Sequence, residues 1–527
     1  MKRRAFIGGI GLGAAGSLLI SKSVEAGTKQ RIEFAKGPTA RPMDIRIAVK
    51  PVFSPIIHSD VWEGPCRPTT KSRPEQEGSR DPILEAVAGW SMADGKTPEQ
   101  ERADAEEGMQ KITEILRKNL NPDIQLLDPV LLDYSEDFWI SPEKLSRLEQ
   151  DKDKVDVYLY RGTLLGYPAA VIAETFRKPI VLGGGFGARD VVARLKTRGL
   201  EGYAVFNEEL NPLLARLKTR KAFEQTRILI VTDREMPPLP IQSCVDVNVL
   251  EDKFGIGSHF VSYREFAGEM DEVIGSKEWR AKAKDRAEQL IKNAEKTYID
   301  KKHVQRSFEF YYAVKNLMQK YDCNAFTIEC FELCASRLAD KYLITPCLVH
   351  TLLKDEGIAS ACEADLNALL AMRLLMSVSG KSSFMGNPRA FTEDQLVINH
   401  SVPGIKMAGY AKPDLPYHLR HFVESGWGTK AMIDFTNLDE KAVTLARLNP
   451  LGTKLYLAKG EVVDCSGFNK GTLLGCSLAV HIKVPDPREC MRKLDDFGSH
   501  LSMVYGDHTQ EVAKLADMLG LEVVYAT

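Results

Sequence analysis

The strongest constraint in this 527-residue chain is a change of rhythm along its length. Through the first two thirds, short apolar runs at 44–52, 124–127, 155–160, 179–182 and 226–233 alternate with stretches of helical period, such as 99–119 and 165–176. Strand and helix in turn are the pattern of a parallel sheet with crossover helices, since neighbouring parallel strands need a long connection. Past Gly380 the runs become short and alternating, at 396–399, 430–434, 443–448, 454–459 and 478–484. That period predicts a small antiparallel barrel. The fold class expected is therefore α/β: two open parallel-sheet α/β domains, over 42–222 and 223–378, followed by a β-rich, barrel-like C-terminal domain over 379–527.

The N-terminus has a different grammar. Lys2-Arg3-Arg4-Ala5-Phe6-Ile7 is a twin-arginine pattern, followed by a Gly/Ala/Leu-rich stretch to Ile20 and small residues ending at Ala26. Residues 1–26 read as a twin-arginine signal peptide, which predicts export to the periplasm or beyond, and 27–41 as a polar leader. The apolar run is about 15 residues against the roughly 20 needed to span a bilayer, so no stable membrane span is expected after cleavage. The Pro-, Ser- and Arg-rich stretch 64–82 has no apolar period and reads as a surface loop.

Charge narrows the partners. With 70 basic and 72 acidic residues the net charge is −2, and no basic stripe interleaved with aromatics occurs, which argues against nucleic acid or an anionic membrane. The ten cysteines form no C-x-x-C pair and read mostly as core thiols. Gly183-Gly184-Gly185-Phe186-Gly187 follows a strand and opens a helix, but it matches a dinucleotide fingerprint poorly and reads as a tight turn. The aromatic stripe Phe308, Phe310, Tyr311, Tyr312 reads as core or subunit interface.

The richest stretch runs from Thr345-Pro346-Cys347 through Cys362-Glu363-Ala364-Asp365 to Asn399-His400-Ser401. Leu366, Leu369, Leu370, Met372, Leu374, Leu375 and Met376 suit a buried helix of roughly four turns, with Glu363 and Asp365 at its start, where the macrodipole favours anions. Acids so placed either cap the helix or hold a cation, and the residue pattern alone leaves both open.

The segment from Phe326 to Ser401, together with Gly498-Ser499-His500-Leu501-Ser502-Met503-Val504-Tyr505-Gly506, resembles the L-arabinose and L-fucose isomerases. Those enzymes carry an acidic motif opening an apolar helix, an aromatic turn and a histidine strand. The resemblance implies a divalent metal, Mn²⁺, held by Glu363, His400 and His500, and a trimer or hexamer with shared sites. It implies an aldose–ketose isomerase or epimerase acting on a free pentose or deoxyhexose through an enediol, with Glu363 as ligand and base. Where the family has a second carboxylate after the aromatic turn, this chain has Gly386-Asn387; Asn387 can ligate a metal through its amide oxygen but cannot act as a base. Glu329, Asp365 or Glu393 then stand as sources of the missing acid. His418 and Trp427 fall in what reads as a polar loop and are candidates for touching a sugar. The alternative is an exported sugar-binding or regulatory protein that keeps the fold without turnover.

Overall fold

The computed structural model describes residues 34, 41–61, 95–135, 139–162, 167–184, 187–233, 247–468 and 474–526. The signal peptide, almost all of the leader and the 64–82 loop lie outside the described residues. Two parallel sheets precede a ring of strands, as the change of rhythm predicts.

The first sheet contains β1 (Ile47–Ser54), β2 (Ile124–Leu126), β3 (Val130–Leu131), β4 (Val157–Gly162), β5 (Ile180–Gly183) and β6 (Gly202–Val205), in the order β2-β1-β4-β5-β6 with β3 also on β1. All of its pairings are parallel. β1 is buried on both faces, as a near-continuous apolar run must be in such a sheet. The helix Pro98–Asn119 starts at a capping box in which Thr97 and Gln100 satisfy each other's backbone N–H groups. Gly187, at φ +78°, caps the start of the helix Ala188–Thr197; Gly185 and Phe186 lie outside the described residues.

The second sheet is also wholly parallel, in the order β11-β10-β7-β8, with β7 (Arg227–Val231), β8 (Gly257–Val261), β10 (Ala325–Ile328) and β11 (Ala359–Cys362). The helix Lys301–Lys320 packs its aromatic stripe inward, burying Phe308, Phe310 and Tyr311 in the main core, with Tyr312 packed against it.

The third unit is a closed ring. β12 (Phe384–Ala390), β13 (Gln395–His400), β16 (Ala442–Leu448), β17 (Lys454–Ser466), β18 (Leu478–Lys483) and β19 (Leu501–Tyr505) pair antiparallel in the order β16-β19-β12-β13-β18-β17. Pairing of β16 with β17 closes the ring, and β20 (Glu522–Tyr525) adds parallel to β17. Closure removes the edges along which strands otherwise aggregate. β9 (Lys296–Thr297), β14 (Tyr417–His421) and β15 (Thr429–Ile433) form a small separate sheet.

Two sequence expectations need correction. Gly386-Asn387 lies within a barrel strand rather than after a turn, and His418 lies on a strand rather than in a loop. Both were obscured by Gly, Pro, His and Arg, which break the strand pattern but are tolerated where a neighbouring strand supplies the pairing. No described helix is long and apolar enough to cross a membrane.

Candidate active site

The C-terminal ends of β10 and β11 are where a parallel sheet presents its ligand-facing groups. β10 and β11 are paired through Ile328↔Cys362, so Glu329 and Glu363 each stand one residue past the last pair, at the same end of neighbouring strands. From there the chain turns sharply into the helix Leu366–Ser379. Both turn residues have left-handed backbone, Glu363 at φ +60° and Ala364 at φ +50°. Neither is glycine, and each such residue costs of order 1–3 kcal/mol, strain that clusters at functional sites. Ala364 N–H donates to the Ile328 carbonyl at 3.2 Å, which fixes the turn against β10.

The strained turn aims Glu363 at two histidines from the barrel. His400 ends β13, and its Nε2 lies 3.3 Å from Glu363 Oε1. His500 precedes β19, with Nε2 3.8 Å from Glu363 Oε2. The two imidazole rings are 5.4 Å apart between centroids. Glu363, His400 and His500 are all buried, and each offers a ligand atom within 4.8 Å of the others. Glu363 Oε2 and His500 Nε2 are buried without a hydrogen-bond partner. Such orphans are costly unless something else satisfies them, and a carboxylate with two imidazoles is a donor set suited to a divalent transition ion. The residues present therefore fit a metal.

Asp365 stands behind this group. Its Oδ1 accepts from Ala368 N–H at 2.9 Å, capping the helix. Its Oδ2 lies 2.8 Å from His500 Nδ1 and accepts from Arg447 Nη1 at 2.7 Å. A carboxylate on Nδ1 fixes the tautomer that leaves Nε2 as the lone-pair nitrogen, the usual support of a metal-binding histidine. Arg447, buried on β16, also donates to the carbonyls of Phe497 and His500 at 2.6 and 2.9 Å. Gly498, at φ +101°, makes room for it: a Cβ there would sit 2.9 Å from Nη2. Sequence reasoning missed Arg447, because nothing in Ala446-Arg447-Leu448 sets it apart from a surface strand arginine.

Electrostatics keep both carboxylates of the site ionised. Burial pushes the Glu363 carboxyl up, but the hydrogen bond from His400 and the charge of His500 outweigh it and hold it below the usual carboxylate range. Burial likewise opposes ionisation of Asp365, and Arg447 and His500 hold it ionised. For His400 burial works against the charged form, yet Cys476 and Glu363 raise it.

The other candidate residues lie as follows. Glu329 is buried and caps the helix Cys330–Ala335, accepting from Phe331 N–H at 3.1 Å. Asn387 faces Asn399 across β12 and β13, and its amide makes no hydrogen bond to Glu363, His400 or His500. His418 stacks on Phe468, with centroids 4.2 Å apart, and its Nδ1 meets Arg420 at 3.3 Å. Trp427 packs against the main core, and its carbonyl accepts from the N–H groups of Phe422 and Val423. Glu393 lies in the turn between β12 and β13 and is exposed. Asp365 is brought to the site as a positioning residue: both its oxygens are engaged, so it is not available to carry a substrate proton.

No protein-family model matches the chain. It is similar to proteins named sulfoquinovose isomerase: 26% identical over 337 residues to that of Alkalicoccus urumqiensis, spanning 61% of this chain and 69% of the relative. With the one from Priestia megaterium it shares 22% identity over 405 residues, 70% of this chain and 85% of the relative. With that of Clostridium sp. strain MSTE9 it shares 26% over 178 residues, 33% and 39% of the two chains.

Proposed function

We propose that this chain interconverts an aldose and a ketose by moving one proton between adjacent carbons, at a site built on Glu363, His400 and His500. The observation that carries the proposal is that cluster, with its orphaned Glu363 Oε2 and His500 Nε2. Those three residues would hold a divalent cation, which supplies a Lewis acid to the carbonyl oxygen and its neighbouring hydroxyl when bound. We assign Mn²⁺ to it on the resemblance to the arabinose and fucose isomerases.

The proton leaves the hydroxyl-bearing carbon beside the carbonyl and returns to the former carbonyl carbon, while the hydroxyl proton passes to the former carbonyl oxygen, so no external oxidant or reductant is needed. A positioned side-chain base must carry it. Glu329 is our choice, because it ends the strand beside Glu363 and is buried, whereas Asp365 is committed to Arg447 and His500. Asp365 and Arg447 hold the His500 imidazole in place, and the barrel wall keeps the site from bulk water. The similarity to sulfoquinovose isomerases makes a sulfonated hexose the first substrate to try, beside the pentoses and deoxyhexoses that the motif resemblance suggests. We retain export through residues 1–26, and assembly into a trimer or hexamer, as parts of the same proposal.

The test is deuterium uptake from D₂O at the carbon beside the carbonyl, followed by NMR with Mn²⁺-loaded protein and a panel of aldoses and ketoses that includes sulfoquinovose. Uptake lost in Glu363→Gln and in Glu329→Gln supports the assignment. Sugar binding without uptake from any member of the panel would make the protein a binder.

A further inference from the structure

Glu363 belongs to two clusters. On one side are the imidazoles; on the other, Cys330 and Cys362 each bring Sγ to within 4.8 Å of a Glu363 carboxylate oxygen and of each other. The architecture holds both thiols in place. Cys362 is the last residue of β11, buried, with its N–H directed at Met385 Sδ at 3.3 Å. Cys330 begins the helix that follows β10, so the ends of two paired strands carry the two sulfurs side by side. Every cysteine among the described residues is a free thiol. The carboxylate is more than nine-tenths buried, and its Oε2 has no hydrogen-bond partner.

We propose that Cys330, Cys362 and Glu363 form a second cation site, selective for thiophilic divalent ions such as Zn²⁺ or Cd²⁺, which shares Glu363 with the imidazole cluster. Metal–sulfur bonds of about 2.3 Å and metal–oxygen bonds of about 2.0–2.2 Å in a tetrahedron are compatible with donors that lie within 4.8 Å of one another, and leave a fourth position for water. Binding replaces the two S–H protons by two metal–sulfur bonds, so two protons are released for each ion and no oxidant or reductant is consumed. Soft thiolates favour Zn²⁺, whereas carboxylate and imidazole also suit Mn²⁺, so the two sides of Glu363 sort ions by softness. The cation site stands without the isomerase reading. Its consequence, inhibition by an ion that takes Glu363 away from the imidazoles, rests on that reading.

The experiment is titration of the metal-free full-length protein with Co²⁺, recording the near-ultraviolet thiolate-to-cobalt charge-transfer band. The band is expected in the unaltered protein, lost in Cys330→Ser and in Cys362→Ser, and kept in His400→Ala, which separates this site from the imidazole one. X-ray absorption of the Zn²⁺-loaded unaltered protein needs no variant, and is expected to show sulfur neighbours at about 2.3 Å. Zinc with only nitrogen and oxygen neighbours overturns the proposal, as does a band that survives both serine substitutions. Activity without sulfur ligation would sink this site and leave the isomerase reading standing.

Discussion

At the residue scale, the site depends on how each side chain is held as much as on which side chains are present. His500 is pinned through Nδ1 by Asp365, itself tied to Arg447, so Asp365→Asn should weaken Mn²⁺ affinity by about 10–100-fold, measured by titration calorimetry. Arg447→Met should be worse for folding, because it strands a buried carboxylate; a loss of about 3–5 kcal/mol in denaturant unfolding is expected. Away from the site, Asp355 accepts from the N–H groups of Ile405 and Lys406, yet burial raises its carboxyl from 3.8 to about 6. Between those values the folded state keeps a proton that the unfolded state has lost, so stability falls as pH rises. The melting-temperature difference between the unaltered protein and Asp355→Asn should therefore decline from about pH 4 to about pH 6, and a rising difference would contradict the assignment. Glu363, His400 and His500 were singled out in the sequence by the resemblance of the short motifs that carry them. Arg447 was not, since its partner Asp365 is far along the chain and only folding brings the two together.

At the element scale, the decisive piece is the turn from β11 into the helix Leu366–Ser379. The helix was readable from its apolar spacing and its acidic start. The left-handed pair Glu363–Ala364 was not, because glycine is the residue that ordinarily announces such backbone. Ala364 is fully buried, so Ala364→Val meets both a forbidden conformation for a β-branched residue and overpacking. A loss of about 2 kcal/mol or more is expected in chemical denaturation; an unchanged midpoint would show that the turn relaxes freely. β12 and β14 escaped the sequence reading for a related reason. Their Gly, Pro, His and Arg residues have little strand preference of their own and become strands only between partners, β12 between β13 and β19, β14 between β15 and β9.

At the scale of the whole molecule, the site joins the second parallel sheet to the barrel, Glu363 coming from one and His400 and His500 from the other. A cation bound there should therefore brace both units. Mn²⁺ at about 100 times its dissociation constant should stabilise the folded protein by about 2.7 kcal/mol, and a chelator should reverse it, as seen in thermal melts. Identical melts with and without metal would mean that the three donors do not bind together. The sequence by itself determined the fold class and the chemistry on offer, because hydrophobic period and residue type are local properties that the chain carries in any conformation. Only the tertiary structure decided which acid faces the imidazoles and which one holds a histidine in place, and that two cysteines stand beside the same carboxylate. Those relations rest on strand register and ring closure, which bring together residues distant in sequence and leave no local trace.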